Sequence, residues 1–323
     1  MKKILIVYLS LLFSVAVSGQ TTTNAILFKI SGNGLKSPSY ILGSFHIMRG
    51  ETVSSIPEFE KIYKAIPQVC FETDMNQNPT SAAMSKEVQP PHAKSMGKLT
   101  PQEILLPADS TYDKIIGVEK AAEVDTVMKA VFPMYVSNMR PTYAAIILRM
   151  MYSMQMFGIT QENRHKKFTP IDYYVHAQAV SDGKSIEMLE PFAVQDSILK
   201  KMKMQKSASK KQTLTEEMNS LSDFCHTYSS KVQLIKKLKK LYAEGRGEDI
   251  MLELQNNQYA SGLTSGLFDV NKRNAEWMRK IPQMIKKKPT LIVVGLAHLL
   301  KNKEAEGIVA DLKNLGYKVE PIK

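Results

Sequence analysis

Two apolar segments of this chain run directly into a glycine, and each glycine is followed three residues later by a histidine. Residues 40–46 read Tyr-Ile-Leu-Gly-Ser-Phe-His, and residues 291–298 read Leu-Ile-Val-Val-Gly-Leu-Ala-His. Short apolar runs of this kind predict buried strands, and Gly43 and Gly295 let the backbone turn sharply where each strand ends. Because ligands of open α/β sheets bind just beyond the carboxyl ends of strands, we expect His46 and His298 to face one crevice.

A third apolar segment brings carboxylates to the same end of the predicted sheet. Residues 68–73 form a short run that predicts a buried strand, and Glu72 and Asp74 stand at its end. Side chains two residues apart on a strand share a face. We therefore expect both carboxylates close to the two histidines.

The rest of the pattern predicts a mixed central β-sheet flanked by helices, an α/β or α+β fold. Residues 24–30 and 40–47 predict an opening hairpin at an edge of the sheet, and Thr100 looks like the cap of a helix. Apolar residues at helical spacing, and short apolar runs for strands, predict the remaining elements: helices at 56–66, 112–131, 141–157, 172–180, 214–242, 271–286 and 304–315, and strands at 186–189, 290–294 and 318–322. We expect one domain over residues 20–323, with a mostly helical insertion at about 79–260.

The N-terminus has the three-part layout of a secretory signal peptide. Lys2 and Lys3 precede an apolar run at residues 4–17, and small or polar residues follow at 18–20. The run is shorter than the ~20 residues that span a bilayer, so a signal over residues 1–19 is favoured over a membrane anchor. We expect export to a bacterial periplasm or the exterior, with no membrane span in the mature chain.

The net charge of the chain bears on its binding partners, and its cysteine content bears on disulfide bonds. The formal net charge is +12, but the lysines at residues 200–211 and 231–240 alternate with apolar residues as in a solvated helix face. No aromatic stacking pattern or known module accompanies them, so we predict no nucleic-acid partner. Cys70 and Cys225 are too few and too distant to define a disulfide framework, and we expect no structural bridge.

The two histidines and Glu72 together point to hydrolysis. Two imidazoles and one carboxylate are a ligand set of catalytic zinc-type sites, in which the metal lowers the pKa of a bound water. Alternatively, His46 or Glu72 acts directly on water as a general base. A lone Gly-x-x-His is common, so each histidine also has a structural interpretation.

Taken in order, the motifs resemble those of the TraB/GumN family over residues 25–322. The matching blocks are Ile-Leu-Gly-Ser-Phe-His, Phe-Glu-Thr-Asp, Asp172 with Ala179 and Gly183-Lys184, Leu189-Glu190 with Gln195, Arg273-Asn274, and Val-Val-Gly-Leu-Ala-His-Leu. The resemblance implies kinship with the TIKI metalloproteases and, more distantly, the erythromycin esterase and ChaN-like group. It implies that His46, Glu72 and His298 bind a divalent metal, Mn, Co or Zn, and cleave peptides. Thr142 departs from the family pattern, in which an aromatic residue often follows that proline.

Four further polar residues are candidates: Arg273 for catalysis, and Asp172, Glu190 and Asn274 for substrate binding or for orienting a histidine. Arg273 offers a fork of donors for a carboxylate or an oxyanion, or else forms a surface ion pair. Asp172 and Glu190 line the cavity or orient a histidine, or else cap helices. Asn274 adjoins Arg273 and is grouped with them.

The sequence is therefore compatible with three functions. The leading hypothesis is a secreted metal-dependent hydrolase, a peptidase acting on a peptide or a small molecule. The second is a non-catalytic protein that sequesters such a ligand. The third is a metal-free, esterase-like hydrolase.

Overall fold

The computed structural model describes residues 24–76, 104–166, 168–207, 212–260, 263 and 269–323. The predicted signal peptide and the predicted helix start at Thr100 lie outside these residues. The strands are β1 Leu27–Ser31, β2 Ser39–Ser44, β3 Gln68–Phe71, β4 Ser185–Met188, β5 Thr290–Gly295 and β6 Lys318–Pro321. The α-helices are α1 Phe59–Ala65, α2 Tyr112–Ile116, α3 Val118–Val131, α4 Pro141–Phe157, α5 Ile171–Ser181, α6 Phe192–Ser207, α7 Leu214–Ala243, α8 Gly247–Asn256, α9 Val270–Lys287, α10 Leu296–Leu299 and α11 Ile308–Asn314.

The six strands form one mixed sheet in the order β4-β3-β5-β2-β1-β6. The four strands β4, β3, β5 and β2 are parallel, whereas β1 pairs antiparallel with both β2 and β6. Every residue of β3 and β5 is buried, which is expected of parallel strands covered on both faces. The predicted fold class, a mixed sheet flanked by helices, is confirmed.

The opening hairpin lies inside the sheet, and the prediction that it forms an edge is wrong. The last strand, β6, adds to β1 with Ile30 opposite Val319, so the edges are β4 and β6. The pairing of β1 with β6 joins opposite ends of the chain, so no local sequence pattern predicts it.

Glycines divide one predicted helix and delay the start of another. The helix predicted at 112–131 divides at Gly117, whose φ is 85°. The helix predicted at 304–315 begins only at Ile308, after Gly307 with a φ of 91°. Before it, the Asn302 side chain accepts hydrogen bonds from the backbone N–H groups of Glu304 and Ala305. Such local bonds compete with helix formation.

Buried side chains form two main cores, one around the sheet and one among α2, α3, α4 and the first half of α7. Helix α7 joins them, because Met218 and Leu221 lie in the helical core whereas Leu238 and Tyr242 lie in the sheet core. Both cysteines are buried and free, and they belong to different cores. Among the described helices, none combines the length and apolar character needed to cross a bilayer.

Candidate active site

The four parallel strands deliver one group of polar side chains to their common carboxyl end. His46 follows β2, Glu72 follows β3 and Glu190 follows β4, while Gly295 ends β5 and His298 lies in α10 directly after it. The register sets Ser44 beside Gly295 and Phe71 beside Val293, so these ends lie side by side. This is the place where ligands bind in open α/β sheets.

A hollow at Gly295 brings His46, Glu72 and His298 together. A Cβ at Gly295 would lie 3.1 Å from Glu72 Oε1 and 3.8 Å from both His46 Nε2 and His298 Cδ2. A larger side chain would fill the space between these groups. The other motif glycine, Gly43, has a packing role, because a Cβ there would meet Leu296 Cδ1 at 2.6 Å.

Arg273, on α9, lies at the centre of the buried charges. Its Nη2 donates to Glu72 Oε2 at 2.9 Å and to Glu190 Oε1 at 2.7 Å, and its Nε donates to Glu190 Oε2 at 3.1 Å. Its Nη1 lies 2.8 Å from His298 Nε2. The side chain is only 10% exposed, so the alternative of a surface ion pair is excluded. Four of its five N–H groups are engaged by these contacts.

His298 is fixed as a neutral imidazole. Arg273 can only donate, so His298 Nε2 accepts and His298 Nδ1 donates to Asn274 Oδ1 at 2.7 Å. Asn274 Nδ2 donates back to the His298 carbonyl, and the Trp277 ring stacks at 4.3 Å between centroids. Burial, with the nearby Arg273 charge, lowers the pKa of His298 to about 4, although Glu72 raises it.

Glu72 is held as a carboxylate by three donors. Gly295 N–H donates to Oε1 at 2.7 Å, and Arg273 Nη2 and Gln195 Nε2 donate to Oε2. Burial alone raises the pKa of Glu72, but His298, which gains its proton only at low pH, and the positive charges of Arg273 and His46, with the Gly295 N–H, lower it to about 2. Glu72 is therefore ionised at neutral pH and is a weak base.

His46 is the accessible member of the group. Its side chain is 51% exposed, and its Nδ1 lies 3.4 Å from Oδ1 of Asp172, which is buried. That oxygen has no hydrogen-bond partner among the described residues. Surrounding protein atoms lower the pKa of His46, but the nearby Asp172 and Glu72 carboxylates raise it to about 9. At neutral pH His46 is mostly an imidazolium paired with Asp172.

The capping alternatives for Asp172 and Glu190 do not describe this structure. The N-cap of α5 is Pro170, without a side-chain cap bond, and Asp172 instead faces His46. Glu190 instead accepts from Arg273 and from Trp277 Nε1. Asp74 lies apart from the Arg273 contacts: its Oδ1 accepts from the backbone N–H of Asn76.

The sequence does not predict the roles of two residues of the site, Trp277 and Gln195. Trp277 donates to Glu190 at 3.0 Å and packs against His298 and Arg273. Trp277 lies one helical turn after Arg273, and this spacing is the sequence pattern that indicates that the two side chains are neighbours. Gln195 belongs to one of the sequence blocks that resemble the family, but the sequence predicts no role for its side chain. It donates to Glu72 from α6.

The arrangement does not fit a metal ion on His46, Glu72 and His298. The His298 Nε2 and Glu72 Oε2 lone pairs that would bind a metal are engaged by Arg273, and Glu72 Oε1 accepts from the Gly295 N–H. Within the described part of the chain, no group of three His, Cys, Asp or Glu side chains is placed to hold a metal. The divalent metal stays a prediction.

Comparisons with known proteins identify the family. Searches of curated proteins and of solved structures give no significant match. The model of the TraB/PrgY/gumN family matches residues 26–321, which include every strand and the whole site. The chain therefore belongs to the TraB/PrgY/gumN family.

Proposed function

We propose that this protein is a hydrolase that cleaves a peptide or ester bond at the Gly295 hollow, with His46 activating a water molecule. One observation carries the proposal: His46 Nε2 faces the hollow beside Glu72, while His46 Nδ1 faces buried Asp172. A base oriented by a carboxylate on its far nitrogen is a recurring arrangement for proton transfer. The 3.4 Å separation is long, as is common before substrate binds.

The chemistry follows from the charges of the site. Neutral His46 takes a proton from water at Nε2 as the water oxygen bonds to the carbonyl carbon. Electrons of the C=O double bond move to its oxygen, and the remaining Nη1 N–H of Arg273 stabilises that charge. When the intermediate collapses, the bond to the leaving amine or alcohol breaks and His46 returns the proton to it. Atoms and charge balance without another reactant.

The protonation state of His46 sets the pH at which this reaction works. With a pKa of about 9, roughly one molecule in a hundred carries the neutral base at pH 7. The rate should rise with pH until the pH passes that value. Over this pH range Glu72 stays ionised and His298 stays neutral, so both continue to accept hydrogen bonds from Arg273.

A divalent metal would supply a bound hydroxide near neutral pH. Since Arg273 engages the ligand atoms, none of the steps above uses a metal. We also propose that the protein acts outside the cytoplasm, as its N-terminal pattern predicts.

The experiment is a digest of peptide and ester libraries by the purified mature protein, with and without chelator. His46→Ala should lower the rate by about 10²- to 10⁴-fold, the usual contribution of general base catalysis. His226→Ala is the matched control, because His226 is 74% exposed and pairs with Glu123. Circular dichroism shows whether each variant is folded.

Three other outcomes would change the assignment. Activity that chelator abolishes and one added metal restores would favour the metal-dependent form. Tight retention of a library member without cleavage would favour a sequestering protein. Equal activity of wild type and His46→Ala would exclude His46 as the base.

A further inference from the structure

Two cations, Arg49 and Lys239, border one small apolar cluster. The cluster consists of four buried side chains: Ile47, Phe157, Phe168 and Ile235. The Arg49 guanidinium lies over the Phe168 ring, 5.6 Å from its centre, and that ring contacts the Phe157 ring at 4.7 Å between centroids. A Cβ at Gly158, the residue after Phe157, would lie 3.2 Å from Lys239 Nζ. The two cations therefore share the surroundings of one aromatic pair.

Neither cation has a hydrogen-bonded anion among the described residues. Arg49 Nη1 is buried and has no hydrogen-bond partner there, and Arg49 Nε lies 3.9 Å from a Glu51 oxygen, beyond hydrogen-bond length. Lys239 Nζ donates to the Gln155 carbonyl at 3.4 Å. Burial and the charge of Arg49 lower the pKa of Lys239 to about 8, so the two positive charges repel each other. An anion bound by both would relieve that repulsion.

The backbone keeps Arg49 close to the proposed reaction. Residues 45–48 form a turn that includes His46 and is closed by a backbone hydrogen bond of 2.8 Å. Arg49 comes three residues after His46, so their Cα atoms are at most about 11 Å apart. A backbone bridge joins Arg49 to Pro170, two residues before Asp172, the partner of His46. The Arg49 side chain is 21% exposed, so a ligand beside His46 can contact it.

We infer that Arg49 and Lys239 form a binding site for a carboxylate of a peptide substrate, a few residues from the bond that is hydrolysed beside His46. A guanidinium pairs with a carboxylate through two parallel N–H bonds, and a lysine ammonium adds a compact positive charge. An extended peptide spans about 3.3–3.6 Å per residue, so a separation of about 10 Å corresponds to about three residues. The inference rests on the proposed function for the position of the reacting bond.

The carboxylate has two possible sources, the C-terminus of the peptide or an acidic side chain. The test therefore uses three sets of acetylated tetrapeptides of mixed uncharged residues: free acids, C-terminal amides, and amides that end in aspartate. Mass spectrometry gives kcat/KM for wild type, and equilibrium dialysis gives the affinity of His46→Ala, which lacks the proposed base. At least one carboxylate set should exceed the neutral amides about tenfold or more in both measurements. The set that does so identifies the source.

Two variants each remove one charge and keep an apolar side chain, Arg49→Met and Lys239→Met. Each should lower the ratio of kcat/KM for carboxylate peptides to that for neutral amides about tenfold, mainly through KM, because the lost contact is made before and during the reaction. Lys240→Met is the matched control. Lys240 adjoins Lys239 on α7, is 77% exposed and lies 3.8 Å from Glu244, so its loss changes the net charge equally and should leave the ratio unchanged.

Circular dichroism shows which variants are folded, and Lys239→Met carries the comparison if Arg49→Met does not fold. Equal treatment of charged and neutral peptides by wild type would overturn the inference. A preference that survives in every folded variant of these two residues would overturn it as well. Hydrolysis without a carboxylate preference would refute this site alone. Arg49-dependent retention of carboxylate peptides without cleavage would support the site and refute the hydrolase.

Discussion

Replacing Glu72 by glutamine tests the electrostatics of the site most quantitatively. The pKa of Glu72 is lowered from 4.5 to about 2, so its ionised form stabilises the fold at pH 7. Removing one partner of a buried ion pair costs about 3–5 kcal/mol, and the low end applies because Arg273 keeps Glu190. Glutamine keeps the shape, but its NH₂ would face the donors Arg273 and Gln195. We expect Glu72→Gln to lower the free energy of unfolding by about 3 kcal/mol.

The sign of the pH dependence follows from the depressed pKa. Stabilisation by Glu72 is complete above the unfolded-state value and is lost as the pH falls from about 4.5 towards 2. Urea titrations followed by circular dichroism should therefore show a smaller difference between wild type and Glu72→Gln at pH 3 than at pH 7. Glu276→Gln is the control, since Glu276 is 57% exposed. Equal stabilities at pH 7, or a difference that does not shrink at pH 3, would refute the reasoning.

Two further substitutions test single contacts. Asp172→Asn removes the carboxylate that raises the pKa of His46, so an NMR titration of His46 should move from about 9 to lower pH, and the alkaline rise in rate should move with it. An unchanged titration would show that Asp172 does not control His46. Trp277→Phe keeps a ring on His298 but removes the donor to Glu190. Urea unfolding followed by circular dichroism should show a loss of about 1–2 kcal/mol, and a loss below about 0.3 kcal/mol would contradict the hydrogen bond.

The strand ends of the site could be predicted because local sequence determines them. Apolar runs that stop at Gly43 and Gly295 define where β2 and β5 finish, and the apolar run that stops at Phe71 places Glu72. Parallel pairing then brings these ends to one edge of the sheet. Family resemblance and position in the sequence assign four further residues to the same site: Asp172, Glu190, Arg273 and Asn274.

The contacts between those residues could not be predicted, because they depend on how distant elements pack. Arg273 lies beside Glu72 and Glu190 because α9 packs against the sheet core through Trp277 and Ile281. No sequence pattern fixes that position, and so the contacts of Arg273 with both carboxylates cannot be predicted. The pairing of β6 with β1 escaped prediction for the same reason.

The central claim, that the reaction takes place in the Gly295 hollow, is tested most directly by Gly295→Ala. Gly295 has φ −57° and ψ 139°, a conformation that alanine adopts without strain. The added methyl would lie 3.1 Å from Glu72 Oε1 and 3.8 Å from His46 Nε2, in the space for the attacking water. We predict a folded protein, destabilised by no more than about 1–3 kcal/mol through the tight contact, whose kcat/KM for hydrolysis falls at least about tenfold. Wild-type kcat/KM in folded Gly295→Ala would contradict the account.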